Sequence, residues 1–326
     1  MTHFPAAVFR PYGITVFAGW ILLGGAGFWL ASQRGYPLSA AAPLIAAFLI
    51  EYAFYLFPGF RRVRETVADR IPILPYASLL AFSAVLPYSI ASLAGGFQFD
   101  SFLRILVIGA FISFWYVFRR PSVSSDALML VFLAAIPLSR IFKRLYVFPV
   151  DEPLDVLGQL MLIRLAATVM LTIREVDLDR FGFWPNAAEW KAGLKWFVLL
   201  VPVGISVGLA LGFLSWGPSP QKIRILPLQF AGFLWVVALG EEFFFRGLVQ
   251  QWIENLTGKA WLALALASLA FGAAHLPSGG FPNWKFALVA SIGGVFYGLA
   301  YRSGLRAAMV THALTATLLR TLFRTN

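Results

Sequence analysis

The chain has 326 residues, of which 60% are hydrophobic and only 13% are charged, whereas soluble domains carry about 25% charged residues, so a water-soluble globular protein is excluded. The net charge is +11, and the basic residues fall in short connections, such as the one with Arg61, Arg62 and Arg64. This distribution indicates that the connections contact anionic lipid headgroups, and we expect no nucleic-acid partner. The absence of cysteine excludes disulfides and thiolate metal sites.

Uncharged runs predict eleven candidate helices, and several runs reach the roughly 20 residues that a spanning helix needs. They lie at 14–32, 40–57, 72–95, 102–118, 126–140, 154–173, 191–215, 226–252, 260–276, 284–301 and 306–323. Their apolar character on every face excludes an outer-membrane barrel. Because 126–140 is short and 154–173 contains Arg164, we predict an all-α polytopic membrane bundle of about 8–11 hydrophobic helices. We expect it to be a multi-pass protein of a bacterial cytoplasmic membrane, in contact with the lipid bilayer.

A polar interruption divides the predicted helices into two groups. The stretch from Arg174 to Lys191 alternates in charge sign and contains Gly, Pro and Asn. We therefore predict that residues 1–185 form N-terminal membrane helices, a scaffold of unknown role, and that residues 186–326 form a second domain. Glu51 lies in an apolar run of the first group. We expect it to pair with a neighbouring arginine or to face water, without a catalytic role.

A cluster of charges interrupts the apolar helix predicted at 226–252, where Glu241, Glu242 and Arg246 fall within six residues. A charge at the centre of a spanning helix costs about 2.5–3.5 kcal/mol on insertion scales, so these side chains need partners inside the bundle. Glu242 and Arg246 are four residues apart and are expected to form an ion pair on one helix face. Glu241 points about 100° away from Glu242 and has no evident local partner.

Two histidines lie in the hydrophobic C-terminal helices: His275 ends one apolar run and His312 lies in the next but one. We expect both imidazoles to converge with Glu241, which would then be a usable general base for activating water. The three residues Glu241, His275 and His312 could bind a divalent metal such as Zn²⁺. Alternatively, without any metal, the histidines could hold the water and the developing oxyanion by hydrogen bonds. The sequence leaves both possibilities open.

Three short motifs carry a family resemblance: EEFFFR at Glu241 to Arg246, FGAAH at Phe271 to His275, and His312 within THALTA. They resemble the CPBP family of intramembrane peptidases, which includes CAAX proteases and bacteriocin-processing or abortive-infection proteins and has the motifs EExxxR, FxxxH and HxxxN or HxxxD. The resemblance implies that residues 186–326 are a peptidase core. It also implies that Glu241 activates water and that Glu242 and Arg246 support and orient Glu241. His275 and His312 would complete the site.

The third motif departs from the family pattern, because the position four after His312 is Ala316 where the family has Asn or Asp. This departure puts the oxyanion-binding or ligand role of that position in doubt. Thr315 and Thr317 are neighbouring hydroxyls that could contribute, although they occupy different positions around the helix.

The leading hypothesis from these observations is an intramembrane endopeptidase, of the metallo or glutamate type, that cleaves a protein or peptide substrate. A non-catalytic membrane scaffold or immunity-type protein of the same fold is the second hypothesis, with Ala316 as its main argument. A transporter that uses Glu241 and the histidines as a proton relay is disfavoured, because two matching halves with broken helices are not apparent.

Overall fold

The computed structural model describes residues 6–148, 150–178 and 181–325, which form two compact units divided between Asp177 and Leu178. The first unit contains helices α1 (Ala6–Arg34), α2 (Leu38–Leu56), α3 (Arg61–Arg70), α4 (Ile73–Ala91), α5 (Phe99–Phe118), α6 (Val123–Leu138), α7 (Phe142–Leu145) and α8 (Val156–Thr172). The second contains α9 (Ala187–Ala210), β1 (Leu214–Trp216), α10 (Pro220–Arg224), α11 (Leu226–Thr257), α12 (Ala260–Ala273), α13 (Trp284–Tyr301), α14 (Leu305–Leu322) and β2 (Phe323–Thr325).

The predicted all-α membrane architecture is confirmed, and each of the eleven predicted segments contains a helix, although the helices predicted at 191–215 and 260–276 end earlier, at Ala210 and Ala273. Among the described residues, seven helices are long and apolar enough to cross a membrane, and α6, α8 and α12 are shorter apolar helices. The remaining predicted segment, α14, contains Arg306, His312 and several threonines, which lower its hydropathy. Most of these polar side chains are buried, so α14 is an interior helix of the second unit.

A buried ion pair joins two helices of the first unit. Arg164 of α8 donates from Nε to Glu51 of α2 at 2.6 Å, and its two terminal nitrogens donate to the hydroxyl and the carbonyl oxygen of Ser83, both at 2.8 Å. The guanidinium carbon also lies 4.8 Å from the ring centre of Phe54. Of the two alternatives predicted for Glu51, the structure therefore shows pairing with an arginine.

Contacts between α9 and α14 fix the helix that carries His312. Asn186 and Glu189 form a reciprocal capping box at the start of α9, which satisfies two free backbone N–H groups there. Glu189 also accepts from Arg306 Nε of α14 at 3.1 Å. Further along, a Cβ at Gly193 would lie 2.6 Å from Val310, so only glycine permits this close approach of the two helices.

Helices α12 and α13 also pack closely through small residues. A Cβ at Gly272 would lie 2.4 Å from the backbone oxygen of Ala287, and one at Gly294 would lie 3.1 Å from Ser268. Small residues at helix interfaces allow such close backbone packing in membrane bundles. This contact holds α12, and hence the turn with His275 that follows it, against α13.

A short two-stranded sheet, which the sequence did not predict, closes one end of the second unit. Strand β1 pairs antiparallel with β2, with Trp216 opposite Phe323 and Leu214 opposite Thr325. The chain leaving β1 adds a hydrogen bond from Gly217 N to Leu322 O at 3.0 Å. We call residues 214–219 together with 323–325 the strap. Strands this short lack the alternating pattern that identifies longer strands.

Candidate active site

Helix α11 places two adjacent glutamates between two irregular stretches. Residues Phe233–Ala238 and Phe243–Gln250 are π-helical, and the short segment Leu239–Glu242 between them is α-helical. A π-helical turn contains an extra residue and changes the direction in which the following side chains point, and such turns are frequent at functional sites. In this irregular helix, Glu242 points into the interior and Glu241 points into a cavity.

Glu242 is fully buried and bonded on both carboxylate oxygens. Arg246 donates from Nε to its Oε2 at 3.0 Å, and His312 Nδ1 lies 2.8 Å from its Oε1. Because a carboxylate only accepts, His312 donates from Nδ1. The predicted Glu242–Arg246 ion pair is therefore present, with both side chains 0% exposed. This pairing orients the His312 ring and directs its other nitrogen away from Glu242.

Glu241 is the acid of the pair without a hydrogen bond on its buried oxygen. Its Oε2 lies 3.8 Å from His312 Nε2 and has no hydrogen-bond partner among the described residues. The side chain is 36% exposed and borders the cavity. His312 therefore lies between the two glutamates, bonded to Glu242 and close to Glu241.

His275 lies just after α12, in the turn that follows Ala273, and not inside a helix as the sequence suggested. Its Nδ1 is 2.7 Å from the carbonyl oxygen of Phe271. Since a carbonyl only accepts, Nδ1 carries the proton, and Nε2 of the neutral ring keeps its lone pair. Helix α12 ends here because the backbone turns at residues 274–277. The half-buried imidazole borders the same cavity as Glu241 and His312.

Phe271 is the packing centre of the site. Its ring meets the His312 ring edge-on at 5.7 Å and the His275 ring at 4.8 Å, and the guanidinium carbon of Arg246 lies 5.4 Å from its centre. Phe271 therefore touches both imidazoles and the buried arginine. The sequence identified Phe271 as a motif residue but gave it no role.

The cavity is large and lies entirely within the second unit. Its volume is about 740 Å³, and its wall includes Glu241, His275 and His312. Apolar side chains of α9, α11 and α13 form much of the remaining wall, and Ser219, Lys222, Arg324 and other residues in or beside the strap also border the cavity. A chamber of this size can hold several residues of an extended peptide. The three predicted residues thus share one cavity.

Glu241, His275 and His312 are also the predicted ligands of a divalent metal. Among the residues that the structure describes, no group of three His, Asp or Glu side chains is arranged to hold a metal ion. His312 donates from Nδ1 to Glu242 and His275 donates from Nδ1 to a backbone carbonyl, and such bonds leave Nε2 of a histidine open for a metal. Metal binding by these three residues therefore stays a prediction.

The residues near the altered third motif differ in what they face. Ala316 and Thr315 line the cavity, whereas Thr317 does not and donates to the carbonyl oxygen of Ala313 at 2.7 Å. Tyr297 of α13 also lines the cavity, and the sequence did not identify it. A tyrosine within the apolar run GGVFYGLAY gives no signal that separates it from ordinary packing residues.

Comparison with known proteins places the site within a described family. Residues 223–318 match a family model described as Rce1-like, type II CAAX prenyl endopeptidase, which is part of the CPBP family. The matched segment contains all five predicted site residues, from Glu241 to His312. The resemblance predicted from the motifs is therefore confirmed. Searches of curated proteins and of solved structures found no match.

Proposed function

From the premise that residues 223–318 belong to the CPBP family, we propose that this integral membrane protein is an intramembrane endopeptidase of the glutamate type. The observation that carries the proposal is the position of Glu241, which borders the cavity without a hydrogen bond on Oε2. A carboxylate so placed can accept a proton from water. The neighbouring Glu242 cannot accept this proton, because both of its carboxylate oxygens are already hydrogen-bonded.

The reaction is hydrolysis of one peptide bond. Glu241 takes one proton from a water molecule, and the remaining hydroxide attacks the carbonyl carbon, whose oxygen takes the negative charge. The tetrahedral intermediate then collapses and breaks the C–N bond. Glu241 returns its proton to the departing nitrogen, so the products are a carboxylic acid and an amine, and the enzyme is unchanged. The acid then passes its proton to the amine, which gives a carboxylate and an ammonium group.

The histidines support this step in different ways. His275 keeps an acceptor nitrogen, because its Nδ1 proton is held by the Phe271 carbonyl, and this acceptor can hold the second hydrogen of the attacking water. His312 is fixed by Glu242 and has Nε2 3.8 Å from Glu241 Oε2. When Nε2 also carries a proton, it is a donor directed toward this carboxylate. Arg246 neutralises the buried charge of Glu242.

The proposed substrate is a peptide segment delivered through the membrane. The cavity lies beside helices that are apolar enough to span a bilayer, and its wall combines apolar side chains with a few polar groups. Such a wall suits a hydrophobic peptide or one with an attached lipid. The name of the matched family model points to prenylated peptides as the first class to test.

The test is cleavage by the purified protein in detergent. Quenched fluorescent peptides, one set ending in a farnesylated CAAX sequence and another containing a transmembrane helix, are incubated with the protein, and products are identified by mass. We expect cleavage in at least one set and none by Glu241→Ala, His275→Ala or His312→Ala.

Glu254→Ala is the matched control, because Glu254 is an exposed acid further along α11, and we expect full activity from it. Full cleavage by Glu241→Ala would show that the assigned base is wrong. A folded protein that cleaves neither peptide set would instead favour the non-catalytic scaffold.

A further inference from the structure

The altered third motif leaves the proposed reaction without an obvious donor for the oxyanion. Attack on the peptide carbonyl puts a negative charge on its oxygen, and a hydrogen-bond donor aimed at that oxygen lowers the barrier. Ala316 lines the cavity where the family motif has Asn or Asp, and a methyl group donates nothing. His275 and His312, the other donors predicted for this oxygen, each use the Nδ1 proton on another acceptor, so a further group bordering the cavity is needed.

Several candidate donors can be set aside by position. The guanidinium of Arg246 is fully buried and is not part of the cavity wall. Arg320 lies eight residues beyond His312, which corresponds to about 12 Å along a helix. Lys222 donates to the carbonyl oxygen of Arg320 at 2.9 Å and so lies at the same distant end. Arg246 is thus set aside because its guanidinium is buried behind the wall, and Arg320 and Lys222 because they lie about 12 Å along α14 from His312.

Tyr297 has the required position. Its ring stacks on the His312 ring, with centres 4.6 Å apart and planes 8° from parallel, and it meets Phe271 edge-on at 5.8 Å. The side chain is 5% exposed and borders the cavity that Glu241 and His275 also border. Packing against two rings of the site fixes its orientation, which is what a preorganised donor requires.

The hydroxyl of Tyr297 is also available to donate. It would lie 3.3 Å from a Cβ built at Gly293, a residue of the cavity wall, so the hydroxyl lies beside the cavity. Thr315 also borders the cavity, but its hydroxyl donates to the Thr311 carbonyl oxygen at 2.8 Å. A phenol hydroxyl has one proton to donate, and hydrogen bonds to charged acceptors are roughly twice as strong as neutral ones. A developing oxyanion can therefore attract the Tyr297 hydrogen bond.

We propose that Tyr297 is a further catalytic residue, whose hydroxyl donates a hydrogen bond to the oxyanion in place of the side chain missing at Ala316. The proposal rests on the proposed endopeptidase function. The tyrosine keeps its proton throughout, and the negative charge leaves the oxygen when the C–N bond breaks. Stacking on His312 and the edge contact with Phe271 hold the tyrosine ring in place before the substrate arrives.

The experiment compares kcat and KM for wild type, Tyr297→Phe, Ala316→Asn and the double variant, on whichever peptide the wild type cleaves. Phenylalanine keeps the ring that stacks on His312, so the melting temperature should stay unchanged. We expect Tyr297→Phe to lower kcat by about 10²–10³-fold with little change in KM, as for removal of one oxyanion donor. Adding Ala316→Asn to Tyr297→Phe should raise kcat again by at least about tenfold, because it restores a donor to the cavity wall.

The control is Thr317→Val, which removes a buried hydroxyl on the same helix that does not border the cavity and should leave kcat unchanged. A folded Tyr297→Phe protein with wild-type kcat would overturn the role of Tyr297. So would a loss of kcat that Ala316→Asn fails to restore, since that pattern indicates packing alone. Failure of the proposed function gives a different result, because wild type and Glu241→Ala would then cleave the peptide at the same rate.

Discussion

Among the described residues, each unit has a glutamate–arginine pair in which both side chains are buried, and these two pairs differ in what surrounds them. In the first unit, Arg164 binds Glu51 at 2.6 Å and uses its other nitrogens on Ser83. In the second, Arg246 binds Glu242 at 3.0 Å, but the other oxygen of Glu242 holds His312. The first pair links two helices, and the second pair positions an imidazole.

We propose a role in catalysis only for the Glu242–Arg246 pair, because of the residues that surround it. Glu241 follows in the same helix, borders the cavity and lies 3.8 Å from the same imidazole. In the first pair, Glu51 is 0% exposed and Arg164 3% exposed, and no second acid is described beside them in the way that Glu241 lies beside Glu242. A buried ion pair is therefore weak evidence of function, whereas an extra acid beside such a pair is stronger evidence.

The largest difference between the two pairs should appear when the second is replaced by apolar side chains. We expect Arg246→Met to abolish cleavage, since it leaves the Glu242 charge buried and disturbs His312. The double variant Glu242→Leu/Arg246→Met should fold better than the single variant and still lack cleavage, because His312 loses its acceptor. Peptide cleavage and melting temperature are measured on both variants. Recovery of activity in the double variant would show that the pair is only structural.

The same replacement in the first unit should affect stability and not chemistry. Arg164→Met leaves Glu51 buried without its counter-charge, which destabilises a protein by about 3–5 kcal/mol. We expect a lower melting temperature in detergent, which Glu51→Leu/Arg164→Met should largely recover. The cleavage rate per folded molecule should match wild type. A loss of cleavage in a folded double variant would assign the first pair a role in the reaction.

A smaller effect is expected from the packing that positions His275. Gly272→Ala places a methyl group 2.4 Å from the Ala287 backbone oxygen, which must shift α12 against α13 at a cost of about 1–3 kcal/mol. Cleavage should fall in parallel, because the turn with His275 follows α12. Gly232→Ala is the control, since its Cβ would meet nothing within 4 Å. Equal stability and equal cleavage rates of Gly272→Ala and Gly232→Ala would contradict this packing role.

The smallest effect is expected from removing metal ions. Because no three side chains of the described residues form a metal-binding group, we expect cleavage to continue in the presence of a strong chelator. Elemental analysis of the purified protein and the cleavage rate after dialysis against chelator provide the measurement. A rate that falls and returns on adding Zn²⁺ would replace the glutamate-type mechanism with a metal-dependent one.

The helices and the local ion pair could be predicted from the sequence because both depend on short-range patterns. Long apolar runs specify helices in a membrane, and a spacing of four residues brings Glu242 next to Arg246. The sequence motifs also identified His275 and His312 as candidate site residues. In each case the information lies within a few neighbouring residues.

The remaining features depend on contacts between distant parts of the chain. The partner of Glu51 is 113 residues away, and the acceptor for His312 is 70 residues away, so no local pattern specifies either. Tyr297 becomes part of the site only through stacking on His312. The two π-helical stretches of α11 could not be predicted either, because the sequence around them reads as an ordinary apolar helix.

The most direct test of the central claim is the cleavage rate of Glu241→Gln measured beside Glu51→Gln. Glutamine keeps the shape of glutamate but cannot take a proton from water. For Glu241→Gln we predict at least about a 100-fold loss of kcat, as expected for loss of a general base, with an unchanged melting temperature. For Glu51→Gln we predict a wild-type rate per folded molecule. A Glu241→Gln protein that cleaves at the wild-type rate would contradict the claim that this carboxylate activates the attacking water.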